Sequence, residues 1–254
     1  MVKDLSLSFV FPMYNEIDNI KPCILGALQI GDQLEIDYEI VVVDDASTDG
    51  CGQLADNLAK LYPVIKVIHH PVNRKLGGAL KTGFANATKQ YVLYMDSDLP
   101  LKFEDVCAAI PKIGRADLLI GYRLTRDESL YRKLISKMYN LTIRALFGLR
   151  VRDVNFSFKL FKRDILRQIH LQSEGSFIDA ELLIEAHHKG HVIREVGLDY
   201  YPRVAGVSTL ASKAVIMKIT AEMWRYYWQQ KKGWAARTVH YGKTENEELF
   251  YEKR

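Results

Sequence analysis

Acidic and hydroxyl side chains are concentrated at three points of the sequence, each directly after a short apolar run. The three points are residues 12–16 (PMYNE), 44–49 (DDASTD) and 96–98 (DSD). Two carboxylates two residues apart on a turn can bind one hard cation, Mg²⁺ or Mn²⁺, which in turn bridges phosphate oxygens. Like charges so close together repel, which favours a cation over a turn beside a capped helix. Asp96 and Asp98 are therefore predicted metal ligands.

The apolar runs before these clusters predict a scaffold that brings them to one place. The run at 38–43 (YEIVVV) lacks the polar alternation of a half-exposed strand, which is typical of a strand buried on both faces. The βαβ rhythm of the first 120 residues predicts an α/β fold with a mainly parallel sheet, flanked by helices, and ligands bind beyond the carboxyl ends of such strands. The predicted strands are 5–11 (ended by Pro12), 38–43, 64–69, 91–95 and 117–120, and the predicted helices are 18–30, 53–61, 77–87 and 103–110.

Beyond Arg123 the pattern changes. Leu130–Phe147 predicts a long basic amphipathic helix, and residues 213–230 predict a second amphipathic helix near the C-terminus. Between these two helices the sequence predicts strands at 156–161 and 191–196 and a helix at 179–188.

Composition excludes several classes of protein. The chain has 254 residues, of which 48% are hydrophobic and 26% charged, so collagen-like and disordered classes do not fit. The 35 Lys and Arg against 31 Asp and Glu give a net charge of +4, too little to indicate a nucleic-acid partner. Three cysteines without paired spacing predict reduced thiols. With no signal peptide or membrane span recognised, we expect a cytoplasmic protein.

The three clusters belong to a pattern that resembles glycosyltransferase family 2 on the GT-A (Rossmann-like) fold. Later segments resemble its dolichyl- and polyprenyl-phosphate sugar synthase branch, and the whole resemblance spans about residues 5–230 in the family's order. The segments that carry it are PMYNE (12–16), VVVDDASTDG (41–50), NRKLGGALKTGF (73–84), YMDSD (94–98), GYR (121–123), RDVNFSFKLFKRD (152–164), SFIDAELL (176–183) and RVAGVSTL (203–210).

The resemblance implies one GT-A domain over residues 1–235. Its nucleotide-binding half is about 1–123 and its acceptor half about 124–235, followed by a charged tail at 236–254. The implied activity is inverting, metal-dependent transfer of mannose or glucose from GDP-mannose or UDP-glucose to a polyprenyl or dolichyl phosphate.

The resemblance also implies roles for single residues. Asp44 contributes to donor binding or only shapes the turn. The other residues match family positions that contact the substrates or the metal. Pro12, Tyr14 and Glu16 match the loop that holds the base and ribose, and Asp45 matches an aspartate that contacts one of them. Asp96 and Asp98 match the ligands of Mg²⁺ or Mn²⁺, and Arg123 and Arg203 match arginines near the diphosphate and the acceptor phosphate.

Two positions depart from the branch. Pro100 stands where the branch usually has a metal-binding Gln, and Thr209 stands where it has a phosphate-directed Lys. Asp179 lies where other family 2 enzymes carry a general base, which a hydroxyl acceptor requires and an anionic phosphate does not. The alternatives for Asp179 are a helix cap or a structural salt bridge.

The C-terminal amphipathic helix bears on where the protein acts. A basic amphipathic helix with Trp and Tyr at 214–230 suits a membrane interface, and the basic helix at 130–147 supports the same interpretation. We therefore expect peripheral attachment to the cytosolic leaflet. The alternative is packing against the protein itself or a partner. The competing functions are the same chemistry on a soluble glycan, peptide or small-molecule hydroxyl, and a nucleotide-sensing module without turnover.

Overall fold

The structure is a computed structural model that describes residues 5–97, 101–124, 130–199 and 215–231. The chain separates into two compact units, Met1–Ser208 and Thr209–Arg254. The first unit holds the sheet, and the described part of the second is one helix. The predicted single domain over 1–235 stays a prediction.

A seven-stranded sheet forms the centre of the first unit, in the order β3-β2-β1-β4-β6-β5-β7. β6 is antiparallel to both of its neighbours and every other pair is parallel, as the sequence predicts for a mainly parallel sheet. The strands are β1 (Ser6–Met13), β2 (Asp37–Asp44), β3 (Ile65–His69), β4 (Tyr91–Tyr94), β5 (Leu118–Arg123), β6 (Lys159–Lys162) and β7 (Ile193–Leu198).

Helices connect the strands and cover the sheet. Short 3₁₀ turns at Ile110–Ile113 and Arg163–Arg167 follow the helix at Phe103–Ala109 and β6. The predicted long helix after Arg123 is confirmed with the bounds expected. The α-helices of this unit are α1 (Ile20–Leu34), α2 (Cys51–Leu61), α3 (Lys75–Asn86), α4 (Phe103–Ala109), α5 (Leu130–Phe147) and α6 (Ile178–His188).

The first strand is longer than the sequence predicts, because Pro12 lies inside β1 and does not end it. The register pairs Pro12 with Val43 and Met13 with Asp44 of β2. The Pro12 carbonyl accepts a hydrogen bond from the Ser97 hydroxyl, 3.0 Å away, so this side of Pro12 faces the chain beyond β4. The β1–β4 ladder stops at Val10, and the missing N–H of proline therefore leaves no ladder partner unpaired.

The strand predicted at 156–161 is also corrected, since β6 begins only at Lys159. Residues 153–158 form a bent segment in which the Phe156 amide donates to the Asp153 carbonyl. The ring of Phe156 packs against Gly121 of β5, where a Cβ atom would lie 2.3 Å from that ring. Gly121 therefore lets this segment lie close against β5.

The described part of the second unit is helix α7, residues 215–231. Ile219, Met223 and Tyr226, on its predicted apolar face, are buried, whereas Trp224 and Trp228 are exposed. Among the helices that the structure describes, none combines the length and the apolar character needed to span a bilayer.

Candidate functional site

The loops after β1 and β2 are joined by hydrogen bonds into one surface, which we name the strand-end cluster (residues 12–17 and 44–49). The Asn15 amide donates to Ser47 Oγ at 3.0 Å, and the Thr48 amide donates to Asn15 Oδ1 at 2.8 Å. The Ile17 amide donates to Asp49 Oδ2 at 2.9 Å. Because β1 and β2 are parallel neighbours, their carboxyl ends meet at one edge, as predicted.

Asp44 shapes this turn. Its Oδ1 accepts a hydrogen bond from the Ser47 amide at 3.0 Å, and its Oδ2 lies 2.8 Å from His69 Nδ1. His69 Nε2 lies 3.0 Å from Asp56 Oδ1. Hydrogen bonds to Asp44 and Asp56 raise the pKa of His69 above its usual value. Both oxygens of Asp44 are thus engaged within the protein, which favours the structural alternative for this residue.

Asp45 differs from its neighbour. It is buried, and its Oδ1 accepts hydrogen bonds from the Arg74 amide at 2.8 Å and from His70 Nδ1 at 2.7 Å. His70 is itself buried, and its Nε2 lies 2.8 Å from Thr82 Oγ1. In the part of the chain that the structure describes, no hydrogen bond ends on Asp45 Oδ2. The carboxylate is therefore fixed in orientation with one oxygen left for a ligand.

The remaining predicted donor residues lie on or beside β1. Pro12 is buried in the strand, and Tyr14 is half exposed in the loop. Glu16 lies ahead of α1, where its carbonyl accepts the Asn19 and Ile20 amides and its Oε2 accepts the Asn19 side-chain amide at 2.7 Å. Tyr14 is thus the side chain of this group that is most available to a ligand.

The third polar cluster joins the first two from β4. The Ser97 hydroxyl bonds to the Pro12 carbonyl, which ties the chain after β4 to β1. Asp96 follows Met95, and its Oδ1 accepts a hydrogen bond from the Tyr94 hydroxyl at 2.9 Å. Asp98, Pro100, Arg203 and Thr209 lie outside the described residues, so their predicted roles stay predictions.

Four charged side chains form a second site beside Asp96, which we name the buried charge cluster (Arg123, Asp153, Lys159 and Asp179). Lys159 Nζ, buried in β6, donates to Asp179 Oδ1 at 2.6 Å and to the Phe156 carbonyl at 2.7 Å. Arg123 Nε, at the end of β5, lies 3.6 Å from Asp153 Oδ2.

The sheet register places this cluster next to Asp96. Tyr94 of β4 is paired with Lys159 of β6, and the Lys159 ammonium lies 5.3 Å from the centroid of the Tyr94 ring. Tyr94 also bonds to Asp96, so Asp96, Tyr94, Lys159 and Asp179 form a continuous chain of contacts. Burial raises the pKa of Asp179 to about 6, against the opposing effect of Lys159, and the charges of Asp96 and Asp153 raise it further.

The oxygen chemistry at the end of β4 fits a divalent cation. Mg²⁺ and Mn²⁺ prefer carboxylate oxygens, and Mg²⁺ is often held by one or two carboxylates together with substrate phosphates. Asp96 is partly exposed at a strand end and uses only Oδ1 in its bond to Tyr94. Within the described ranges no group of three or more His, Cys, Asp or Glu side chains could hold a metal by itself.

A loop from the second half of the chain packs on the start of α3, near Asp45. The Gly77 amide donates to the Glu174 carbonyl at 2.8 Å, and a Cβ atom on Gly77 would lie 2.3 Å from the Ser173 carbonyl oxygen. Glu181 of α6 is fully buried and accepts the amides of Gln172 and Ser173, each at 2.8 Å. The glycine at 77 is therefore needed for this close approach.

Sequence reasoning assigned no role to Asp153 or Lys159. A signal existed for Lys159, because a basic residue inside the apolar run NFSFKLF must find a counter-charge if the run is buried. Asp179, twenty residues further along the chain, is that partner. The position of His70 after an apolar run, without a metal-like partner in the sequence, favours a structural role, and its bond to Asp45 agrees with that role. The sequence did not identify Asp45 as the partner.

In an α/β sheet with polar loops at the carboxyl ends of its parallel strands, that edge is where a ligand binds. Residues 8–170 match the family model of glycosyl transferase family 2. An undecaprenyl-phosphate mannosyltransferase of Micrococcus luteus is 30% identical over 217 residues, covering 81% of this chain and 88% of that protein. A dolichyl-phosphate beta-glucosyltransferase of Saccharomyces cerevisiae is 29% identical over 242 residues, covering 85% and 72%. The chain therefore belongs to glycosyltransferase family 2 and is a hexosyltransferase.

Solved structures share the fold at lower identity. A glucosyl-3-phosphoglycerate synthase from Mycobacterium tuberculosis, in complex with Mn²⁺, uridine diphosphate and phosphoglyceric acid, gives a TM-score of 0.68 at 19% identity, covering 88% of this chain and 78% of that one. A mannosyl-3-phosphoglycerate synthase from Rubrobacter xylanophilus gives 0.68 at 16% identity, covering 89% and 75%. The predicted GT-A fold is confirmed.

Proposed function

We propose that this hexosyltransferase moves mannose or glucose from a nucleoside diphosphate sugar to a polyprenyl or dolichyl phosphate, with inversion at the anomeric carbon. The observation that carries the donor half is the convergence of the loops after β1, β2 and β4 through direct hydrogen bonds. The relatives named for undecaprenyl-phosphate and dolichyl-phosphate acceptors support the acceptor half.

The donor's base and ribose bind at the strand-end cluster. Asp45 supplies the carboxylate oxygen that a ribose or base can donate to, and Tyr14 supplies an exposed ring in the loop after β1. Pro12 and Glu16 fix the backbone of this loop. Asp44 acts only through the turn and through His69.

The diphosphate lies beyond the end of β4. Asp96 and Asp98 would hold Mg²⁺ or Mn²⁺ there, and the bound cation would neutralise charge on the leaving diphosphate. Arg123 and Arg203 contribute to the same task, because the planar guanidinium can donate two hydrogen bonds to phosphate oxygens. An oxygen of the acceptor phosphate bonds to the anomeric carbon as the bond from that carbon to the diphosphate oxygen breaks.

The surroundings of Asp179 favour a phosphate acceptor over a hydroxyl. A hydroxyl acceptor needs a base that can reach its proton in the transition state. Asp179 is 7% exposed, and its Oδ1 is bonded to a lysine that is 1% exposed. A phosphate acceptor is already anionic and needs no such base. In this proposal Asp179 holds Lys159 in place and does not take a proton from the acceptor.

Donor binding is the first test. We expect calorimetric titration of the purified protein to give binding of either GDP-mannose or UDP-glucose in Mn²⁺, and binding at least about tenfold weaker in EDTA because a charged ligand contact is lost. Asp96→Asn should weaken binding in Mn²⁺ to a similar degree.

Glu104→Gln is the matched control, because Glu104 is an exposed carboxylate on the neighbouring helix α4. It should bind the donor as the wild type does. Equal binding of the sugar nucleotide in Mn²⁺ and in EDTA, or no binding of either donor, would contradict the proposal.

A further inference from the structure

Asp45 is held in one orientation by contacts of its backbone and of its side chain. Its amide donates to the Met13 carbonyl at 2.8 Å, and its carbonyl accepts a hydrogen bond from Asn73 Nδ2 at 3.2 Å. Its Oδ1 accepts the Arg74 amide at 2.8 Å and lies 2.7 Å from His70 Nδ1. A carboxylate oxygen has two lone pairs, so these two donors occupy Oδ1. A nucleoside that donates a hydrogen bond to Asp45 must therefore donate to Oδ2.

His70 connects this carboxylate to helix α3. The imidazole is buried, and both of its nitrogens have a partner: Nδ1 has Asp45, and Nε2 has Thr82 Oγ1 at 2.8 Å. Because a carboxylate only accepts hydrogen bonds, Nδ1 must carry the proton. The Thr82 hydroxyl can then donate to Nε2 of the neutral ring, which fixes the tautomer. The Thr82 side chain thus keeps the N–H of the imidazole on Asp45.

Helix α3 reaches Asp45 at two places. Arg74, just before the helix, supplies its amide to Asp45 Oδ1. Thr82, about two turns further along, acts through the imidazole. The helix is fixed on the sheet close to this point, since Phe84 is buried with its ring edge-on to that of Phe161 in β6, 5.4 Å between the centroids. The orientation of Asp45 is therefore imposed by the fold before any ligand arrives.

The neighbouring pair, His69 and Asp44, shows what is particular to His70. His69 is 45% exposed, and the two oxygens of Asp44 are bonded to His69 and to the Ser47 amide. Asp45 is buried, yet no hydrogen bond ends on its Oδ2 in the part of the chain that the structure describes. A buried acceptor without a partner is unfavourable, so a purely structural pair would not keep one. This unpaired oxygen indicates a ligand.

We propose that His70 is a positioning residue for donor binding: together with Thr82 it holds the Asp45 carboxylate so that Oδ2 accepts a hydrogen bond from an N–H or O–H group of the donor's nucleoside. The proposal rests on the proposed function for the identity of the ligand. In this account His70 does not touch the ligand and acts only through Asp45. It goes beyond a structural role, because loss of the imidazole should weaken donor binding as well as the fold.

Calorimetric titration of the full chain with the sugar nucleotide in Mn²⁺ tests this role. His70→Leu should raise the dissociation constant of the donor about tenfold, because the carboxylate loses the hydrogen bond that orients it. His70→Asn should bind within about threefold of the wild type, because its side-chain amide nitrogen can take the place of Nδ1. Thr82→Val, which removes only the hydroxyl, should weaken binding less than His70→Leu does.

The same substitution in an Asp45→Asn background separates positioning from a loss of structure. Adding His70→Leu to Asp45→Asn should change donor affinity less than about twofold, because no carboxylate is left to orient. A general disruption of the fold would weaken binding in both backgrounds. Thermal denaturation checks that each variant is folded at the temperature of the titration.

Matched controls remove a histidine and a threonine that bond to backbone carbonyls elsewhere. His188 Nε2 lies 3.2 Å from the Phe147 carbonyl, and Thr142 Oγ1 donates to the Met138 carbonyl at 2.9 Å. His188→Asn and Thr142→Val should bind the donor as the wild type does. Donor binding that His70→Leu leaves unchanged overturns the proposal, and so does an equal loss in the Asp45→Asn background.

Nitrogen-15 NMR of the histidine-labelled protein gives a measurement that needs no ligand. At about pH 8, where an ordinary imidazole is neutral, we expect the proton of the His70 ring on Nδ1. Nδ1 without a proton overturns the proposal. Wild-type protein that binds no sugar nucleotide contradicts the proposed function, and this proposal with it. Wild-type binding that is insensitive to His70→Leu overturns the positioning role alone, so the two failures are distinguishable.

Discussion

The strand-end cluster and the buried charge cluster lie on one sheet, with β4 between them, but are held together by different interactions. The strand-end cluster depends on hydrogen bonds between side chains and backbone amides of two adjacent loops, such as Thr48 to Asn15. Each such bond contributes about 1 kcal/mol net. The buried charge cluster depends on full charges removed from water, such as Lys159 and Asp179.

This difference predicts different responses to mutation. Where the strand-end cluster is exposed, as at Asn15 and Thr48, water can replace a lost partner, so substitutions there should change ligand binding more than stability. In the buried charge cluster a lost partner leaves an uncompensated charge inside the protein, which is strongly destabilising. The four predictions below test this contrast, from the largest expected effect to the smallest.

Lys159→Met should lower the free energy of unfolding by about 3–5 kcal/mol, because Asp179 is left buried without its counter-charge. Chemical denaturation measures the loss. The control is Lys162→Met in the same strand, where the lysine is 40% exposed and pairs with Asp117, and where we expect less than about 1 kcal/mol. Adding Asp179→Leu to Lys159→Met should recover part of the stability. Equal losses for the two lysines would remove the contrast between the clusters.

Asp45→Asn and Asp44→Asn form a matched pair of neighbours in the sequence. Asp45→Asn should weaken donor binding about tenfold to a hundredfold, as expected for loss of a charged hydrogen bond to the ligand. Asp44→Asn should mainly destabilise the turn, since both of its oxygens are bonded within the protein. Calorimetry and thermal denaturation of both variants separate the roles. A larger loss of donor affinity in Asp44→Asn would reverse the assignment.

Gly77→Ala tests the contact between α3 and the loop at 172–174. The added Cβ would meet the Ser173 carbonyl and the Glu174 backbone, which are not flexible side-chain ends, so we expect a loss of about 1–3 kcal/mol in stability. Donor affinity should fall as well, since Arg74 at the start of α3 bonds to Asp45.

Ala85→Gly, at an exposed position of the same helix, provides the comparison for Gly77→Ala. It should cost about 1 kcal/mol through helix propensity alone and leave donor affinity unchanged. If Gly77→Ala is as stable as the wild type, the close approach of the loop is not as described.

His69 gives the smallest effect and a pH dependence. Its pKa is raised by Asp44 and Asp56, so the folded state binds the proton more tightly than the unfolded chain. The stabilisation is complete below the unfolded pKa of about 6.5 and is lost as pH rises through the higher folded pKa. The side chain is 45% exposed, so we expect its protonation to add only about 0.5 kcal/mol to the free energy of unfolding. The difference in free energy of unfolding between the wild type and His69→Gln, measured with urea, should be larger near pH 5.5 than near pH 8.5. A difference that does not change with pH contradicts the assignment.

The sequence predicted the parts of the site that depend on local pattern. Asp44, Asp45 and Asp96 were placed correctly at strand ends because apolar runs mark parallel strands and such strands end at one edge. Which of Asp44 and Asp45 can bind a ligand could be decided only from the structure, because it depends on their contacts with His69 and His70 at the end of β3. Periodicity carries no information on which side chain of a distant strand meets a given carboxylate.

The buried charge cluster could not be predicted for the same reason. Lys159 and Asp179 are twenty residues apart, and Arg123 and Asp153 are thirty apart, in segments that only the antiparallel insertion of β6 brings together. An antiparallel strand in a βαβ sheet has no clear sequence signal. The start of β6 was misplaced because the apolar side chains of 156–158 fill the core from a bend, and a strand would use the same residue types.

Transfer of labelled hexose to polyprenyl phosphate tests the central claim most directly. The full chain is incubated with Mn²⁺, labelled GDP-mannose or UDP-glucose, and anionic vesicles that contain polyprenyl phosphate, and the lipid and aqueous phases are then separated. We predict label in the lipid phase with one of the donors, and its loss in Asp96→Asn but not in Glu104→Gln. Label that moves only onto a soluble hydroxyl acceptor, or remains in the sugar nucleotide with both donors, would contradict the account.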